Sequence, residues 1–239
     1  MRTERIYVFI FSLLVSSFIR VNGQDTVYVP LKLRFGPEVS GIAVYLAEKK
    51  TMSLEGYASY DLSENRAVFL SAGYADYPYS QYNYEYKANG IFARTGLDFN
   101  LLKPPKSKGI YYAGIGLHYG ISRFNSEVSS FTTENYWGPV TSALPDKSGW
   151  AHFFEVTPGV RAEIFKNFSI GWIINVRLML SSGSEKDLRP LYIPGFGNGS
   201  KRLNTAISYY ISWNIPYRTK RVIIQPEPVE EQPAAVTTP

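Results

Sequence analysis

The stretch FSIGWIINVRLML, Phe168–Leu180, decides the fold. Its even positions are Phe168, Ile170, Trp172, Ile174, Val176, Leu178 and Leu180, an apolar row without interruption. Its odd positions include Ser169, Gly171, Asn175 and Arg177. Side chains of a strand point alternately to opposite faces, so this run offers hydrocarbon to one surrounding and polar groups to another.

Seven further segments carry the same alternation. They are LKLRFGPEVSGIAVY from Leu31, TMSLEGYASYDL from Thr51, AVFLSAGYA from Ala67, NGIFARTGLDFNLL from Asn89, GIYYAGIGLHYGIS from Gly109, AHFFEVTPGVRAEIF from Ala151 and NTAISYYISWNIPY from Asn204. Strands of about ten residues with one apolar and one polar face predict an all-β chain, an eight-stranded antiparallel transmembrane β-barrel of the outer membrane. A soluble barrel of lipocalin type would invert the pattern, with water outside and apolar groups within. Its wet face would be rich in Lys and Glu, whereas here the charges are sparse and mixed with Gly, Ser and Tyr, as a crowded lumen requires. An interfacial girdle is expected at Tyr60, Phe99, Trp172, Trp213 and Tyr217 on one rim. Tyr74, Tyr119 and Phe154 are expected at the other.

The connections predict an orientation. With the first strand running outward from the periplasm, the turns SENR, KPPKSK and Lys166–Asn167 are periplasmic and short. A short turn at Glu48–Lys50 and long loops near Asp76–Asn89, Phe124–Gly149 and Ser181–Arg202 fall outside, the asymmetry of outer-membrane barrels. Both termini are then periplasmic.

Residues 1–23 read as a cleaved export signal, with a charged start and an apolar run from Ile6 to Phe18. That run is short for a spanning helix. Residues 24–217 form the expected barrel and 218–239 a Pro- and Glu-rich disordered periplasmic tail. The net charge of +5 is modest, and Arg2, Arg5 and Arg20 fall in the expected signal, so nucleic acid is not an expected partner. The chain has no cysteine, which excludes disulfides, thiolate metal sites and a thiol nucleophile.

The inward faces place Lys32, Arg34, Arg94, Arg161 and Arg177 with Glu38, Glu55, Asp61, Asp98, Glu155 and Glu163. An eight-stranded barrel has room only for its own side chains, and charges out of water must be paired. The balance of sign predicts a closed salt-bridge network, not an ion-selective channel. Neither histidine sets up a hydrolase: His118 faces inward among glycines and His152 outward, with nothing to fix a triad around Ser148. No cofactor or metal site is expected. The loop YIPGFGNGSKR lacks the strand-before and helix-after of a phosphate cradle and reads as a shaped extracellular turn. Tyr136, Trp137 and Phe196 are the expected extracellular contact residues. The loop Phe124–Gly149 is expected to fold over the barrel mouth or to meet a partner.

In this order, ARTGLDFNLL, IYYAGIGLHYG, the strand with Trp150 and Glu155, EIFKNFSIGWIINVRLML, YIPGFG and ISYYISWNIPY resemble a domain-of-unknown-function family of small outer-membrane barrels from Bacteroidota. The resemblance implies an eight-stranded barrel that, in some members, accompanies the barrel-assembly (Bam) machinery as an accessory subunit. It implies no catalytic residue. The expectation is therefore a non-enzymatic structural or accessory subunit surrounded by outer-membrane lipid and lipopolysaccharide. The alternative is a stand-alone porin-like or ligand-binding barrel.

Overall fold

The computed structural model describes residues 26–49, 51–183 and 190–224. The expected signal, residues 1–23, and most of the expected tail lie outside them. One compact unit spans Tyr28–Lys220.

Alternation makes strands of β1 (Thr26–Glu38), β2 (Met52–Ser63), β3 (Arg66–Gln81), β4 (Tyr84–Asn100), β5 (Tyr111–Asn135), β6 (Gly138–Phe165), β7 (Phe168–Ser182) and β10 (Leu203–Ile223). They close into a barrel in the order β1-β10-β7-β6-β5-β4-β3-β2. A short hairpin, β8 (Tyr192–Ile193) with β9 (Gly197–Asn198), lies between β7 and β10. The two-residue turn Lys166–Asn167 places Asn167 at φ 66°, in the left-handed region that Asn tolerates. The connection after β4 is a single helical turn, α2 (Pro104–Ser107), opened by its prolines.

The faces sort as the alternation requires. Along β7, Trp172, Ile174, Leu178 and Leu180 are exposed, and Ser169, Asn175 and Arg177 are buried. Leu70, Ile91, Leu97, Leu117, Ile207 and Trp213 continue the exposed apolar belt round the wall. The interior is polar, with Arg94, His118, Glu155, Asn175 and Asn214 all at 2% exposure or less. A wall apolar on every strand is stable against hydrocarbon and not against water, so the barrel crosses a membrane. Among the described residues no helix is long and apolar enough to span one.

Three elements differ from expectation. First, β1 stops at Glu38 and GIAVY is helix, α1 (Ser40–Glu48). The Glu38 carboxylate accepts the Ser40 and Gly41 amides at 2.8 and 3.0 Å, and Lys49 at φ 53° returns its N–H to the Tyr45 carbonyl. That satisfies amide donors at one end and a carbonyl at the other. Second, the long loops at 76–89 and 124–149 are ladders. β3 and β4 pair as far as Gln81 opposite Tyr84, and β5 and β6 as far as Asn135 opposite Gly138. Tyrosines brace the first, with Tyr84 stacked on Tyr86 at 6.2 Å. Third, β10 continues to Ile223, so the segment expected to open the tail at 218 begins as strand.

Candidate functional site

The lumen is filled by charge in layers. Nearest the termini, Lys32 of β1 pairs with Glu163 of β6 and donates to the Gly109 carbonyl at 2.8 Å. Arg34 grips Asp61 of β2 with both terminal nitrogens, a geometry that fixes orientation as well as charge. Asn214 of β10 donates to Ser169 at 2.6 Å and to Glu163 at 3.2 Å. Arg161 stands apart from the expected network, its guanidinium 4.9 Å from the centre of the Tyr112 ring.

At mid-barrel, His118 of β5 places Nε2 3.0 Å from Asp98 and stacks on Phe69 at 4.3 Å. A Cβ at Gly116 would lie 2.6 Å from that imidazole nitrogen, so only glycine fits beside it. Tyr57 packs edge-on against Tyr210 at 4.8 Å.

Above lies the strongest group. Arg94 of β4 sets Nη1 3.1 Å from both oxygens of Glu155 and pairs through Nη2 with Glu55. Arg177 of β7 donates Nε to Glu155 at 2.6 Å. Glu155, fully buried, thus holds two arginines from its two neighbouring regions of the wall. Buried charges so shared are tolerated, whereas removing one would strand the others.

The mouth is stoppered by the β8–β9 hairpin. Ile193 and Phe196, both at 0% exposure, pack with Phe124, Ala151 and Phe153. Phe153 and Phe196 rings lie 5.6 Å apart, and Gly120 leaves the space that Phe153 occupies, since a Cβ there would come within 2.2 Å of it. Gly195 turns at φ 74° with its α-carbon face against Phe92, a conformation and a clearance that suit glycine. Two spaces deeper in the lumen, one lined by Arg34 and Asp61 and the other by Tyr57 and His118, are about 30 and 40 Å³, room for a few waters.

Most of the expected network therefore meets: Arg34, Glu55, Arg94, Asp98, Glu155, Glu163 and Arg177 each face a partner inside the barrel. Glu38 is buried but serves the amides of α1. Lys32 and Asp61, also expected inside, join the network, and His118 enters it as the partner of Asp98. Of the expected contact residues, Tyr136 and Trp137 are 91% and 90% exposed at the tip of the β5–β6 hairpin. Phe196 is the reverse, sealed in the mouth; apolar ring and glycine-flanked turn bring it inward. The segment that folds into the mouth is thus 192–198 and not 124–149.

On the outer wall, Tyr60 and Tyr217 stack at 4.7 Å near the rim by the termini, where Trp213 also stands opposite Phe168 and Phe99 opposite Arg66. Trp172 lies opposite Tyr209, four residues inside that end of β7, so it belongs to the wall and not to the rim. His152 faces outward with Nδ1 2.6 Å from the Tyr119 hydroxyl. No group of three or more His, Cys, Asp or Glu among the described residues could hold a metal ion.

The chain belongs to the family described as Domain of unknown function (DUF6048), whose profile matches residues 4–220. No curated protein matches it. Among solved structures it is similar to Ail, the attachment invasion locus protein of Yersinia pestis, at 8% identity and a TM-score of 0.33, covering 82% of this chain and 99% of that one. It is similar also to Acinetobacter baumannii CarO2, at 10% identity and a TM-score of 0.36, covering 79% and 99%. A third is Neisserial surface protein A (NspA), at 11% identity and a TM-score of 0.27, covering 84% and 100%. Likenesses of this size carry no argument, and the fold rests on the strand pairing itself.

Proposed function

We propose that this chain is an integral outer-membrane barrel, with periplasmic termini and extracellular hairpins, that acts as a non-enzymatic accessory subunit of a larger outer-membrane assembly. The observation that carries the reading is the filled lumen. The layers from Lys32–Glu163 to Arg94–Glu155 and the Phe196 stopper occupy the lumen with the chain's own side chains, which favours the wall and the hairpins as the working surface. At the tips of those hairpins Tyr82, Tyr136 and Trp137 are almost fully exposed, and Tyr and Trp are the residue types that anchor protein interfaces. The assembly proposed is the barrel-assembly machinery of a Bacteroidota-like cell, to which the resemblance of the sequence points.

The test is affinity purification of the tagged full chain from outer membranes in mild detergent, followed by mass spectrometry. The central assembly barrel is expected in near-stoichiometric amount; recovery of the chain alone would overturn the accessory role. The second reading, a stand-alone porin-like or ligand-binding barrel, is favoured by one feature, a chamber of about 300 Å³ behind α1 whose lining includes Val44, Glu38, Glu55, Arg94 and Arg177.

A further inference from the structure

Over part of its height the ring of strands is one strand short. β1 pairs with β2 as far as Glu38 opposite Glu55, Val39 then donates to the Tyr209 carbonyl of β10, and the chain turns into α1. β10 extends past that point, back to Leu203, paired with β7 throughout. In an antiparallel strand the N–H and C=O of one residue point to one side and those of the next residue to the other. The Arg202 carbonyl accepts from Met179 of β7 and the Tyr209 carbonyl from Val39, so here even-numbered residues bond β7 and odd-numbered ones face the other way. The Tyr209 amide is met by side chains in place of a strand, the Glu38 carboxylate and the Ser40 hydroxyl, each at 3.4 Å. Thr205 and Ile207 turn their amides and carbonyls to a place where, among the described residues, no strand lies.

α1 does not close this gap. It leans on β2, where a Cβ at Gly41 would come within 2.3 Å of the Ser53 carbonyl oxygen, and it has no buried residue. Between α1 and β10 reaches the chamber of about 300 Å³, lined there by Val44, Ala206 and Ile207 and further in by Glu38, Glu55 and Ser208. The open edge belongs to the apolar belt: Leu203 and Ile207 are exposed and stand opposite Leu178 and Ile174 of β7. Hydrocarbon supplies no partner to a backbone amide or carbonyl, and a lipid tail has neither donor nor acceptor. An extended backbone offers both at every second residue, which is how strand edges are recognised. It also suits a lining that is apolar outside and polar inside, since a wall strand carries the same two faces.

From the open edge, its level in the belt and the two-sided lining we infer that residues 203–207 of β10 receive an extended strand of a partner protein, which completes the wall beside α1. Main-chain pairing recognises that strand. Its outward side chains are apolar, beside Leu203 and Ile207, and its inward ones small or polar, beside Asn204 and Ala206. The inference rests on the accessory role proposed above and gives it a surface: the partner is the central assembly barrel, joined at the seam between β10 and α1.

The experiment is photocrosslinking in cells, with p-benzoylphenylalanine placed at Leu203 or Ile207 and, away from the seam, at the belt positions Leu97 or Leu117. Crosslinks from 203 and 207 to the central assembly barrel, mapped by mass spectrometry to one of its strands, are expected, about tenfold stronger than from 97 or 117. Thr205→Pro removes one edge amide and leaves the bonds to β7, as proline on an edge does. It should lower recovery of the assembly barrel with the tagged chain about tenfold, with heat-modifiable gel migration kept. If the assembly barrel co-purifies but crosslinks from 97 or 117 and not from the seam, the inference is overturned and the accessory role stands. Crosslinks from 207 to a second copy of this chain would overturn the choice of partner. If the assembly barrel does not co-purify at all, the accessory role fails and this inference falls with it. The crosslinking result stands whether or not Thr205→Pro folds.

Discussion

In the half of the barrel nearest the termini, eight strands pair all the way round, and the lumen inside them holds the ion pairs Lys32–Glu163 and Arg34–Asp61. In the half toward the hairpins, β1 has given way to α1, and an apolar stopper from outside the strand register packs into the mouth. Backbone pairing sets the first half, so its polar filling follows from alternation alone. The second is set by side chains: one carboxylate beneath a helix, two phenylalanines in a mouth. The chamber behind α1 lies in that half.

The contrast can be broken at its strongest point by Glu155→Leu. Two buried arginines lose their shared carboxylate, and the cost should be about 3–5 kcal/mol, read as a lower urea midpoint or loss of the heat-modifiable band. Phe196→Ala should cost about 3 kcal/mol locally, as a deleted buried ring does, yet leave the ring of strands folded. Trypsin would then cut at Lys201 or Arg202 while the urea midpoint of the barrel holds. If the barrel melts with the stopper, the two halves are one cooperative unit and the distinction fails.

Glu38→Gln removes the charge from the carboxylate under α1. About 1 kcal/mol is expected, seen as faster hydrogen exchange in 40–48 with no change in β5 or β6. The smallest effect belongs to the turn between β2 and β3. Partial burial works against ionisation of Glu64, but the hydrogen bond and charge of Lys220 outweigh it and hold the carboxyl below its ordinary value. A lowered folded value means that the ion pair stabilises above the ordinary Glu range and is lost as pH falls through the folded value. For so exposed a pair this is a few tenths of a kcal/mol at most. Lys220→Ala should lessen the acid-side slope of the urea midpoint by a correspondingly small amount and change the midpoint little at neutral pH.

Much of this was legible in the sequence, for a physical reason: a two-residue period is fixed by backbone geometry, and a lipid-facing strand displays it without dilution. Asn175 and Arg177 fall inside and Trp172 and Leu178 outside as the alternation of Phe168–Leu180 requires. The turn at Lys166–Asn167 was legible because Asn tolerates the left-handed conformation. What was not legible is local competition. The unbroken apolar run Ile42–Ala47 breaks alternation and was the available sign of α1. The capping by Glu38, which decides helix over strand, is a contact between a strand end and two amides. The Tyr-rich hairpins read as loops because their ladders rise beyond the bilayer, where no apolar face is needed. Phe196 read as exposed because a glycine-flanked turn looks the same whether it points to solvent or into a mouth. His118 was placed inside, but its partner Asp98 comes from the neighbouring strand and depends on register.

The measurement that bears most directly on the filled lumen is conductance of the purified full-length barrel in planar bilayers, with Phe196→Ala beside it. No discrete steps are predicted for the wild type, and none for the variant, because the Arg94–Glu155–Arg177 layer closes the lumen below the stopper. Reproducible large single-channel steps in the wild type would contradict the account and return the barrel to the porin-like reading.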